Sequence, residues 1–124
     1  MKRIFIADDH AVVREGIKRL LAMCPEFVLA GEAQDGDEVV ERLEELAACD
    51  LLMLDMTMPG LSGLALIRRV KARHPRLPVL IFSMHDESAL ISEALDAGAA
   101  DYVAKDRDPE VLIAAMRRAM QEAG

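Results

Sequence analysis

The sequence predicts an α/β domain in which a strand followed by a helix repeats five times, giving a doubly wound, five-stranded parallel sheet. Three observations carry that prediction. Short apolar runs recur at residues 4–7, 27–30, 51–54, 78–82 and 102–104, each closed by a turn residue or a polar group. Between them lie longer stretches with apolar residues at helical spacing and charges on the other side. The run Leu51-Leu52-Met53-Leu54 has no polar alternation, as expected for a strand covered by helices on both faces.

The elements follow in order. Ile4, Phe5, Ile6 and Ala7 form the first strand, which ends at Asp8-Asp9. The first helix is predicted over 11–23, with Val12, Val13, Ile17, Leu20 and Leu21 on its apolar side, and Pro25 stops it. The second strand is 27–30, closed by Gly31-Glu32. Gln34-Asp35-Gly36-Asp37 is turn chemistry with a possible helix cap. One continuous second helix is expected through Val39, Val40, Leu43 and Leu46. The third strand runs into Asp55, and Pro59-Gly60 ends the segment. Ser62-Gly63 leads to a third helix through Leu64, Leu66, Ile67 and Val70, with Arg68, Arg69, Lys71 and Arg73 outside, ending before His74-Pro75. The fourth strand ends at Ser83. Asp86-Glu87-Ser88 opens a fourth helix with Leu90, Ile91, Ala94 and Leu95 as apolar positions and Gly98 as its C-cap. The fifth strand ends at Lys105. Asp108-Pro109-Glu110 has the cap, proline, acid order of a helix start, and Val111, Leu112, Ile113, Ala115, Met116 and Met120 carry the last helix.

The chain is 124 residues long, 52% hydrophobic, with a mean hydropathy of +0.15, the profile of a single packed domain. A formal charge of −7 argues against a nucleic-acid grip by this domain, and 3% aromatic residues with no Trp argue against a base-stacking surface. Cys24 and Cys49 form no Cys-x-x-Cys pair and are expected to be reduced thiols in a cytoplasmic protein. The apolar run after Met1-Lys2-Arg3 breaks at Asp8-Asp9, too short for a signal peptide or a membrane span.

Chemistry concentrates after the strands. In a parallel sheet the carboxyl ends of all strands lie on one edge, where ligands bind in open α/β folds. That edge should gather Asp8, Asp9, Asp55, Ser83 and Lys105. Three crowded carboxylates repel, and a hard divalent cation such as Mg²⁺ with oxygen ligands would relieve them. Lys105 could pair with a carboxylate or an incoming phosphate, and Ser83 could donate to the same oxygens. A carboxylate, a metal, an ammonium and a hydroxyl suit phosphoryl transfer, with Asp as the nucleophile. Taken singly each residue has a plainer reading. Asp8-Asp9 could cap a helix, Asp55 could be a turn residue, Ser83 could cap the fourth helix, Lys105 could be solvated, and Tyr102 could pack at the core edge. Met53, Met56 and Met58 read as packing and loop residues. His10, His74 and His85 are scattered and receive no catalytic role.

In combination and in order, Asp8-Asp9, Leu54-Asp55-Met56-Thr57-Met58-Pro59-Gly60 with Gly63, then Ser83, Tyr102 and Lys105 resemble a response-regulator receiver domain of a two-component system across the whole chain. Asp8-Asp9-His10, Arg14-Glu15-Gly16 and Lys105-Asp106 resemble the receivers of NarL/FixJ-type regulators. Of the two common doubly wound schemes the five-stranded one fits the length, and the resemblance implies the same flavodoxin-like, CheY-like sheet order 2-1-3-4-5. It implies that Asp55 accepts a phosphoryl group from a sensor histidine kinase, and that Mg²⁺ is held by Asp9 directly, Asp8 largely through water, Asp55 and the Thr57 carbonyl. It implies that Lys105 contacts the phosphoryl oxygens and that Ser83 and Tyr102 move together as the switch. Thr57 and His85 stand where phosphate lifetime is tuned. Implied partners are the kinase, a homodimer formed on phosphorylation, and DNA through a helix-turn-helix output domain outside residues 1–124. Two departures stand out: Lys105 is followed by Asp106 where many receivers carry a cis proline, and Ser83 stands where Thr is also common.

Other functions fit less well. A hydrolase with an aspartyl nucleophile would want an acid at position 57, which is Thr. A nucleotide-binding module would want a Gly-x-Gly-x-x-Gly or Walker loop, and neither occurs. A receiver reduced to an interaction domain is disfavoured by the intact acid pair, Asp55 and Lys105. The expectation is a phosphoacceptor switch rather than a turnover enzyme.

Overall fold

The structure, a computed structural model, describes residues 1–61, 63–84 and 88–123. The expected roles of Ser62, His85, Asp86, Glu87 and Gly124 therefore lie outside the described residues.

Among the described residues five strands and five helices alternate: β1 Lys2–Ala7, α1 Ala11–Ala22, β2 Phe27–Ala33, α2 Gly36–Glu41, β3 Leu51–Leu54, α3 Gly63–Arg73, β4 Val79–Ser83, α4 Ser88–Asp96, β5 Asp101–Ala104 and α5 Pro109–Ala123. A 3₁₀ turn at Leu43–Ala48 sits between α2 and β3. The sheet is parallel throughout, in the order 2-1-3-4-5. β1 lies next to one edge; the chain winds outward to β2 and then crosses back to β3 at the centre of the sheet.

The period of two along each strand sorts side chains to the two faces. Ile4, Ile6, Leu51, Met53, Leu80 and Val103 meet Ile17 and Leu21 of α1 and Leu112, Ala115 and Met116 of α5. Phe5, Ala7, Leu52, Leu54, Val79 and Ile81 meet Val39, Leu66, Ile67, Val70 and Ala94 from α2, α3 and α4. β3 is buried at every position, as its unbroken apolar run requires. Each fully buried aliphatic side chain here contributes roughly 2 kcal/mol relative to exposure. Met53, Met56 and Met58 are buried packing residues.

Several sequence expectations need correction. Strand β2 continues through Gly31 and Glu32 to Ala33. The register slips between Ile4 and Phe5, so Phe5 pairs with Gly31. Gly31 is a close-approach residue and no terminator: an added Cβ would lie 2.8 Å from the Phe5 ring. The second helix is broken at Arg42, whose guanidinium lies 5.0 Å from the Phe5 ring centroid, donates to the Glu32 carbonyl and pairs with Glu45. Val12 is 85% exposed, because it lies off the stripe formed by Val13, Ile17, Leu20 and Leu21. Leu95 is likewise exposed. Lys71, expected outside, is half-buried; its stem runs beneath Gly98 and its Nζ donates to the Leu77 carbonyl at 2.7 Å. Burial there lowers the Lys71 pKa. Gly98 does follow α4 with a positive φ of 118°.

Candidate functional site

Asp8 follows β1, Asp55 follows β3, Ser83 ends β4 and Lys105 follows β5, so the parallel topology alone brings them to one edge. Asp8 and Asp55 are each 1% exposed and Ser83 is fully buried, and they are the buried polar residues among those described. The Asp55 amide donates to the Ala7 carbonyl at 2.9 Å, and the Asp8 amide donates to Ala33 at 3.0 Å, so both acids sit on backbone fixed by the sheet.

Lys105 lies between the two acids. Its Nζ is 2.7 Å from Oδ2 of Asp8 and 3.4 Å from Oδ2 of Asp55. The other oxygen of Asp55 accepts from the Thr57 hydroxyl at 3.1 Å and the Thr57 amide at 3.3 Å. Burial lifts the Asp55 pKa above the ordinary carboxylate value. Lys105 opposes that rise, the negative charge of Asp8 adds to it, and the Thr57 donors oppose it again.

Asp8 is no helix cap. Its Oδ1 accepts from the His10 amide at 2.8 Å, and His10, the N-cap of α1, makes no side-chain cap bond. Asp9 is exposed beside it. Nδ1 of His10 stands 3.1 Å from Oδ1 of Asp8 and 3.1 Å from Oδ1 of Asp9. The ligand atoms of Asp8, Asp9, His10 and Asp55 all fall within 4.8 Å of one another. This donor set suits a hard divalent cation: three carboxylates, two of them buried, face a single ammonium. His10 is the site residue that sequence reasoning passed over, although its place directly after the acid pair was a signal.

Ser83 and Tyr102 lie on neighbouring strands. Ser83 pairs with Ala104, and its carbonyl accepts from the Lys105 amide at 2.8 Å. Tyr102 is half-buried against the core shared by α2, α3 and α4. The Lys105–Asp106 peptide is trans.

The β3–α3 loop is braced from the β2 side. Asp35 caps α2 by accepting from the Glu38 amide at 2.7 Å, as the sequence suggested. The Gly36 amide then donates to Pro59 at 3.2 Å, and Oδ1 of Asp37 accepts from the Leu61 amide at 3.2 Å. A Cβ on Gly36 would fall 1.3 Å from the Leu61 carbonyl oxygen, so backbone packs on backbone.

A doubly wound 2-1-3-4-5 sheet with acids after β1 and β3 and a lysine after β5 is the flavodoxin-like architecture of receiver domains. The chain belongs to the response regulator receiver domain family, whose model matches residues 4–117. It is 37% identical over 115 residues to the transcriptional regulatory protein DegU of Brevibacillus brevis, covering 93% of this chain and 48% of DegU. It is 34% identical over 116 residues to the nitrate/nitrite response regulator protein NarL of Escherichia coli K12, covering 94% of this chain and 53% of NarL. The crystal structure of a LuxR-family two-component response regulator from Aurantimonas sp. superposes with a TM-score of 0.90 at 35% identity, covering 97% of this chain and 85% of that one. The chain is thus the receiver domain of a two-component response regulator, of the NarL/DegU type. It spans about half the length of the curated relatives it matches. Among the described residues, no helix is long and apolar enough to cross a membrane.

Proposed function

We propose that this domain is a phosphorylation-dependent switch in which Asp55 accepts a phosphoryl group from a sensor histidine kinase. The observation that carries the reading is the pair of buried acids, Asp8 and Asp55, held around one ammonium at the sheet edge. An Asp55 carboxylate oxygen attacks phosphorus as the bond from phosphorus to the donor nitrogen or oxygen breaks. The product is an acyl phosphate on Asp55 and a free donor. Lys105, already within reach of Asp55, moves its charge onto the new phosphoryl oxygens.

Asp8, Asp9, Asp55 and the Thr57 carbonyl would hold Mg²⁺, with Asp9 as a direct ligand and Asp8 acting largely through water. The bound ion supplies charge neutralisation around the transferring group. Ser83 carries a hydroxyl to the phosphoryl oxygens, and Tyr102 changes rotamer with it. This pairing couples the site to the face built by α4, β5 and α5. The domain itself acts as a phosphoacceptor with self-catalysed phosphotransfer and dephosphorylation. It serves in the cytoplasm, dimerises on phosphorylation, and reaches DNA through an output domain beyond residue 124. The names of the transcriptional relatives support that last step.

Intact mass after incubation with Mg²⁺ and acetyl phosphate tests the reading. One acid- and base-labile phosphoryl adduct is expected on the wild type and none on Asp55→Asn. An adduct of equal size on both proteins would place the acceptor elsewhere.

A further inference from the structure

The proposed function leaves the His10 imidazole unused, yet the fold puts it in the middle of the acid cluster. The His10 backbone is extended, with φ −98° and ψ 109°, and its side chain takes no part in capping α1. Its amide is tied to Oδ1 of Asp8 at 2.8 Å, which sets the ring over the acid pair. Nδ1 then stands 3.1 Å from one oxygen of Asp8 and 3.1 Å from one oxygen of Asp9. Lys105 takes the opposite oxygen of Asp8, so the His10 side of the acid is open to a different partner. The ring is 59% exposed and can be reached from solvent. Neighbouring corners of an octahedron with metal–ligand bonds of about 2.1 Å lie about 3.0 Å apart, close to the 3.1 Å between Nδ1 and the oxygen of Asp9, the direct ligand in the metal reading above.

We propose that His10 is a nitrogen ligand of the cation site, and that the site therefore favours a first-row transition ion such as Mn²⁺ over Mg²⁺ more than its carboxylates alone would. The inference rests on the metal-site reading above and adds a specificity-determining residue to it. Mg²⁺ takes oxygen ligands and keeps its water, whereas imidazole is a good donor to borderline transition ions. Nδ1 ligates as the neutral tautomer that carries its hydrogen on Nε2.

Electron spin echo spectra of the wild-type 124-residue chain loaded with Mn²⁺ test this without any phosphoryl donor. Nitrogen-14 modulation from a bound imidazole is expected. It should persist in His74→Ala and vanish in His10→Ala. Competition with Mg²⁺, read by the free Mn²⁺ signal, should show the Mn²⁺-to-Mg²⁺ affinity ratio falling roughly tenfold in His10→Ala. Bound Mn²⁺ with no nitrogen modulation and an unchanged ratio would overturn the role of His10 while leaving the carboxylate site standing. Failure of the wild type to bind either ion would overturn both readings together.

Discussion

At the carboxyl-terminal edge of the sheet Asp8 and Asp55 share Lys105 with hardly any exposure, whereas at the opposite edge Arg73 with Glu44 and Arg117 with Glu26 pair in open solvent. The contact distances are alike: 2.7 Å for Lys105 with Asp8 and 2.6 Å for each of the two exposed pairs. The difference is the medium. Water screens the exposed pairs, and their attraction is largely offset by the entropy of fixing two long side chains. In the interior both the attraction and the cost of desolvation grow, and the balance depends on every partner staying in place. A core charge cluster is a weak way to stabilise a fold. Its presence at the sheet edge that gathers ligands points to chemistry, and the dispersed pairs at the far edge do not.

The largest effect expected on that comparison comes from Lys105→Ala. Removing the shared cation leaves Asp8 and Asp55 facing one another, and the metal-free protein should lose about 3 kcal/mol in urea denaturation. Adding Asp55→Asn should restore part of the loss, because the two sites act on one cluster. Phosphoryl acceptance should survive in some measure in Lys105→Ala, while any phosphorylation-dependent dimerisation is lost. Next comes Gly36→Ala, which sets a methyl group against the Leu61 carbonyl oxygen. A loss of about 2 kcal/mol is expected, measured the same way, from overpacking that cannot relax without moving the β3–α3 loop.

A smaller effect belongs to Glu32, which lies between the two extremes. Its carboxylate accepts from Lys18 at 2.9 Å and from Arg14 at 3.1 Å, and the Lys18 hydrogen bond is the main reason its pKa is lowered from 4.5. A lowered folded-state pKa gives stability that is present above 4.5 and is lost as pH falls through the folded value. Glu32→Gln should therefore flatten the stability curve between pH 4.5 and the acid transition, in thermal unfolding followed by circular dichroism. An unchanged acid limb would remove Glu32 from the account. The least effect is expected from Arg117→Ala, whose exposed pair with Glu26 should leave the unfolding midpoint unchanged within error.

Much of this was legible in the sequence because two periodicities rarely mislead when they alternate. The unbroken run 51–54 named the central strand, and polar groups after four of the strands named the site. The misses share a physical cause: they depend on a neighbour distant in sequence. Gly31 looks like a terminator until Phe5 is seen against it, and Arg42 sits in a good helical pattern until its guanidinium is drawn to the Phe5 ring and the Glu32 carbonyl. His10 resembles any exposed residue at a helix start until the backbone bond to Asp8 sets its ring beside the acid pair. The sheet order is not encoded in periodicity at all; chain length is what favours the five-stranded one of the two common doubly wound schemes.

The backbone seam between Gly36 and the segment from Pro59 to Leu61 bears on how a charge at Asp55 could be felt elsewhere. At Gly36 main chain abuts main chain with no rotamer to turn, and the Asp37 carboxylate pins Leu61 beside it, so this flank of Asp55 yields little. If Asp55 takes on the charge proposed above, the displacement is expected to pass through Lys105 and Ser83 toward the β4 and β5 side, because the seam closes the α2 side. The seam would then give the proposed response a direction without touching Asp55.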